Sequence, residues 1–192
     1  MNTEKLNRWA KEIHNTAVAH GWHEEKHSPE HYLALVMCEV AEAIEADRNG
    51  KYADTDKMKT GMDKIHAVDV YYPDKNYCSA VFFANYNSYI KSSLEEKFAD
   101  IVIRLLDMAV DLWGKYIFVI PNTRIKPSDK LSFTENAWYF VTNLKPCQPY
   151  VNESIVFMYD WAEQLSIDLG QHIEWKMKYN ESRPYKHGGK NY

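Results

Sequence analysis

Cysteine is scarce and unpatterned in this chain of 192 residues: there are three, Cys38, Cys78 and Cys147, far apart. Their odd number excludes a fully paired disulfide framework, and no thiolate-type metal spacing is present, so a reducing cytoplasmic setting is expected. No apolar run reaches the length of a membrane span. The opening MNTEKLNRWAKEI is charged and periodic without an apolar core, so no signal peptide is read there. An excess of positive charge is missing too: the net charge is -4, which gives no footing to a general nucleic-acid binder. Internal repeats and low-complexity tracts are also absent.

What remains is an ordinary globular composition, 45% hydrophobic, of a size that fits one domain spanning 1–192. Aromatics are generous at 14%, and the 14 Tyr point to polar-tipped packing or to a protein interface. Leu6, Trp9, Ala10, Ile13, Ala17 and Val18 recur at helical spacing over residues 3–20, with Gly21 as a stop. Ser28-Pro29-Glu30 opens a second helix that should run to Asn49-Gly50. Ser92 or Ser93 opens a third that ends near Gly114, and a long helical pattern runs from Asn152 to about Tyr179. Two insertions separate these elements, at about 51–91 and 115–150. The first is expected to be irregular, with a short β-hairpin around Pro73-Asp74-Lys75-Asn76; the second holds one short helix in LSFTENAWYFVTNL. The fold class predicted is all-α, with short irregular or β segments confined to the insertions.

Acids set into apolar helices carry the chemistry. HYLALVMCEVAEAIEADR (31–48) and EEKFADIVIRLLDMAVDLW (95–113) are greasy nearly all round, yet hold Glu39, Glu42, Glu96 and Asp100. A buried carboxylate needs water, a cation or a partner. Glu39 and Glu42 stand three apart and Glu96 and Asp100 four apart, so each pair shares a helical face. Oxygen donors of this kind suit Mg²⁺, or Mn²⁺ in its place. The competing reading is a solvated polar stripe in which Arg104 pairs with Asp100 and Asp107. The histidines at 23, 27 and 31 include one Glu-x-x-His, Glu24 with His27, but no second copy for a di-iron bundle, and Pro29 interrupts them. They are expected to be surface residues.

The tail WKMKYNESRPYKHGGKNY sets Lys176, Lys178, Arg183, Lys186 and Lys190 against a single acid, Glu181. Lys176, Asn180 and Arg183 follow at steps of four and three and line one face, a natural phosphate-binding pattern. A basic helix terminus is the plainer alternative.

Four segments, AHGWHEE (19–25), LVMCEVAEAIEADRNG (35–50), EEKFADIVIRLLDMA (95–109) and KMKYNESRPYKHGGK (176–190), resemble the MazG-like all-α nucleoside triphosphate pyrophosphohydrolases. The resemblance covers about half the chain, and the last segment is its most specific part. It implies a four-helix core, assembly into a homodimer or higher homo-oligomer, and Mg²⁺-dependent cleavage of a nucleoside triphosphate to monophosphate and pyrophosphate. By position Glu39, Glu42 and Asp100 match the metal ligands, while Lys176, Asn180 and Arg183 match the phosphate side. Lys186 and His187 join the substrate-binding set, and Trp22 is a candidate to stack the base. One departure stands out: the implied pattern is Glu-x-x-Asp, and Lys97 occupies the first acidic position. Glu96 is the nearest acid that can take its place among the metal ligands and catalytic residues. Loss of that acid allows two further readings, a nucleotide binder that turns over weakly and a helical interaction protein.

Overall fold

The computed structural model describes residues 1–71, 75–114, 116–122 and 124–189, with side chains outside 65–76. All regular structure among them is helical. The elements are α1 (Thr3–Ala19), α2 (Pro29–Arg48), α3 (Thr55–Tyr71), α4 (Lys75–Tyr89), α5 (Leu94–Trp113), α6 (Phe133–Asn143), α7 (Gln148–Gln164) and α8 (Leu169–Glu181). No helix is long and apolar enough to cross a membrane.

Helix boundaries follow local chemistry. Ser28 caps α2 by accepting from the His31 N–H, with Pro29 in the first turn, and Gly50 takes a positive φ just past its end. Ser93 caps α5 by accepting from the Glu96 N–H, and Gly114 closes it at φ 67. Ser132 and Glu135 form a reciprocal capping box at the start of α6.

Helix α5 is the hub, packed against α1, α2, α7 and α8. Its Leu94, Phe98, Ile101, Val102, Leu105, Leu106 and Met108 are sealed from solvent in the main core. A second, smaller core joins Met58 of α3 with Phe82, Tyr86 and Ile90 around α4 and with Trp175 and Tyr179 of α8.

Two expectations are corrected here. Residues 51–91 are not an irregular insertion with β character: α3 and α4 occupy most of them. The β-forming composition is overridden because Phe82, Tyr86 and Ile90 repeat every fourth residue and bury one helical stripe against α8. The centre of the expected hairpin, residues 72–74, lies outside the described residues. The long helix read from 152 to 179 is two helices, broken where Ser166 takes a positive φ of 60 and Asp168 caps α8 by accepting from the Gln171 N–H.

Candidate functional site

The acids of α2 and α5 and the polar face of α8 meet around one cavity of about 300 Å³. Glu39, Glu42, Lys97, Asp100 and Arg104 form one wall; Lys176, Asn180, Arg183 and His187 form another, and Trp22 and His23 line it as well. Four separate stretches of chain are therefore folded onto one space: residues 22–23, α2, α5, and α8 with the tail.

Every acid on that wall is met by a cation. Lys97 Nζ lies 2.5 Å from Glu42, 3.4 Å from Glu39 and 3.8 Å from Asp100. Arg104 reaches Glu39 through Nε at 2.8 Å and Nη2 at 2.7 Å. Lys176 Nζ bridges Glu96 and Asp100 at 2.7 and 2.8 Å. Burial pulls both lysines toward neutrality, but the facing carboxylates outweigh it and hold their pKa values above the ordinary lysine range. These amines stay charged.

Glu96 is not brought to the cavity. Its Oε1 accepts from Tyr86 Oη at 2.9 Å as well as from Lys176, and its Oε2 accepts from the Ser92 N–H. Both oxygens are used in tying α5 to α4 and α8, and burial together with Glu96 raises the Tyr86 pKa. Glu96 thus braces Lys176 and does not stand in for the acid that Lys97 displaces. Arg104, in turn, pairs with Glu39 across the helix interface, not with Asp100 or Asp107 on its own helix.

The donor types on this wall, carboxylate oxygens only, suit Mg²⁺. Their arrangement does not fit it. The Lys97 ammonium stands at the point the three carboxylates face, in the space a divalent ion needs.

The opposite wall is less fully paired. Asn180 Oδ1 is buried without a hydrogen-bond partner, and Arg183 has no ion pair among the described residues. The Arg183 guanidinium lies 5.9 Å from the Tyr179 ring centroid. Trp22 and His187, both lining the cavity, pack edge to face with 4.9 Å between centroids. The tail is docked by specific contacts. The His20 ring sits between the carbonyl oxygens of Thr16 and Arg183, at 2.7 and 2.8 Å, and the Lys186 N–H donates to the His20 carbonyl at 3.0 Å. Gly21, at φ 80, leaves the room in which the Tyr185 ring lies; any Cβ there would collide with it. Lys186 itself is spent on Glu24 at 2.8 Å and does not line the cavity.

The histidines correct a further expectation. His23, expected at the surface, has a side chain only 7% exposed. It lies between two acids of α5, with Nε2 2.9 Å from Asp107 and Nδ1 3.2 Å from Asp111. The sequence carried one signal for this: Asp107 and Asp111 extend the acidic stripe of α5 by further turns, where water or a cationic partner can meet them. Which residues met them depended on the path of the chain after Gly21. No protein-family model, curated protein or solved structure matches the chain.

Proposed function

We propose that this cavity binds a nucleoside triphosphate, in the manner implied by the resemblance to the pyrophosphohydrolases, with turnover restrained by Lys97. One observation carries the proposal. Residues from α2, α5, α8 and the tail, distant in sequence, line a single cavity in which the buried Asn180 Oδ1 has no hydrogen-bond partner and Arg183 has no ion pair among the described residues, while Glu39, Glu42 and Asp100 are matched by cations. Arg183 offers a planar fork suited to phosphate. The free acceptor of Asn180 suits a sugar hydroxyl, and Trp22 gives the base an aromatic face. Lys97, on a flexible four-carbon stem, is the cation best placed to turn from the acids to the incoming phosphates.

A second reading is active hydrolysis of the α–β phosphoanhydride to monophosphate and pyrophosphate. The convergence of Glu39, Glu42 and Asp100 favours it. Two measurements separate the readings. Titration calorimetry with a non-hydrolysable triphosphate should show saturable binding that Arg183→Ala weakens about tenfold or more; no binding of any triphosphate would remove both readings. Pyrophosphate release with Mg²⁺ or Mn²⁺, over a panel of nucleotides, should be slow in the unmodified protein and rise in Lys97→Glu. Brisk release by the unmodified protein would instead establish the second.

A further inference from the structure

At the edge of the nucleotide cavity, toward the other end of the acidic stripe of α5, two imidazoles and two carboxylates meet. His14 comes from α1, His23 from the segment after it, and Asp107 and Asp111 from successive turns of α5. We propose that His14, His23 and Asp111 bind one transition-metal dication of the Zn²⁺ or Co²⁺ kind, oriented by Asp107 and Tyr32.

The geometry is that of a nearly closed site. Each of the three residues offers one ligand atom, and the three atoms lie within 4.8 Å of one another. Donor atoms bound at about 2.0–2.1 Å to a tetrahedral ion stand roughly 3.3 Å apart, so a contraction of up to about 1.5 Å gathers them. Mixed nitrogen and oxygen donors select a borderline dication over Mg²⁺ or Ca²⁺, which take oxygen throughout.

The surrounding contacts are those that aim ligands at an ion. Asp107 Oδ1 takes His14 Nδ1 at 3.0 Å and His23 Nε2 at 2.9 Å, so one carboxylate fixes both rings by one nitrogen each. That leaves His23 Nδ1 for a metal, and it already faces Asp111 Oδ1 at 3.2 Å; His14 would bind through one ring nitrogen. Tyr32 Oη donates to Asp111 Oδ2 at 2.7 Å and lies 3.2 Å from His23 Nδ1, which keeps Asp111 Oδ1 toward the imidazole. Metal-binding imidazoles carry this kind of carboxylate on their far side, where it sets the tautomer and raises ligand basicity. The rings of His14 and His23 lie 4.7 Å apart, tilted by 47°. Since His23 and Asp107 also line the cavity, an ion has a route in.

The deciding experiment uses the full chain, stripped with chelator. Co²⁺ is titrated in while visible ligand-field absorption is followed, and Zn²⁺ then competes. One equivalent should bind saturably and be displaced by Zn²⁺. Asp111→Asn and His14→Ala should each weaken binding at least tenfold, and Asp107→Asn about tenfold. His31→Ala, which alters the stacked His27–His31 pair, should change nothing. Absence of saturable binding would overturn the proposal, as would binding that survives both Asp111→Asn and His14→Ala. Should His14→Ala unfold, imidazole ¹H–¹⁵N spectra of the unmodified protein with Zn²⁺ replace it. Shifts at His14 and His23 support the site, and shifts confined to His27 and His31 sink it.

Discussion

The two ends of α5 carry the same kind of acid and do opposite things with it. Toward its N-terminus Glu96 and Asp100 are held by Lys176, and Asp100 also lies near Lys97. Toward its C-terminus Asp107 and Asp111 are held by the imidazoles of His14 and His23 and the hydroxyl of Tyr32. Amines at the first end are permanently charged and cannot serve as ligands. Imidazoles at the second can exchange a proton for a metal. Carboxylate spacing along one helix is therefore a poor guide to chemistry by itself: the partners arriving from other helices decide what the acids do.

Removing the central cation should break the first end most severely. Lys176→Met keeps the apolar stem but leaves Glu96 and Asp100, 3% and 12% exposed, without their ammonium. Loss of one member of a buried ion cluster costs about 3–5 kcal/mol. Urea unfolding at neutral pH checks this. A loss below about 1 kcal/mol would mean that packing, and not charge pairing, holds this end together.

A third buried ionisable group sharpens the contrast, because it has neither kind of partner. His172 lies one turn before Lys176 on α8, 2% exposed, edge-on to Trp175 and with Nδ1 unpaired. Burial lowers its pKa to about 4, helped by Lys59 and opposed by Asp168 and Glu96. The folded pKa lies below the ordinary value near 6.5, so the unfolded chain takes up the proton first as pH falls. The neutral-histidine contribution is complete above about pH 6.5 and should shrink by roughly 2–3 kcal/mol by pH 4.5. In His172→Phe that part of the acid loss should vanish, read as a smaller difference between unfolding free energies at pH 7 and pH 4.5. An unchanged difference would place the acid sensitivity elsewhere.

Much of the frame was legible from short-range signals. Ser28-Pro29 and Gly114 mark ends of α2 and α5 in the sequence as they do in the structure, and of the two serines read at the start of α5 it is Ser93 that caps it. The capping box Ser132-x-x-Glu135 accounts for the short helix expected in the second insertion. The stretch 51–91 misled because Val, Tyr and Phe favour strands, while the four-residue repeat of Phe82, Tyr86 and Ile90 has meaning only once α8 supplies Trp175 and Tyr179. Residues 39, 42 and 100 could be grouped from their spacing on two apolar helices, though Glu42 itself is 57% exposed. That Lys97 lies among them, that Glu96 turns away, and that His23 is enclosed by α5 are matters of long-range geometry, which no local pattern contains.

The smallest expected difference compares the two ends directly, because each has a tyrosine hydroxyl on a carboxylate. Tyr86 Oη donates to Glu96 at 2.9 Å in a fully buried setting, and Tyr32 Oη donates to Asp111 at 2.7 Å where Asp111 is 27% exposed. Removing a hydroxyl that serves a buried charge takes away a donor that water cannot replace, and Glu96 Oε1 keeps only Lys176, whereas a partly exposed carboxylate recruits water. Tyr86→Phe should therefore cost about 2 kcal/mol and Tyr32→Phe about 1 kcal/mol in the metal-free protein. Chemical denaturation of both variants under one set of conditions measures the gap. Adding Zn²⁺ should then widen the deficit of Tyr32→Phe alone, since only at that end does the hydroxyl orient a ligand; equal responses of the two variants would erase the distinction between the ends.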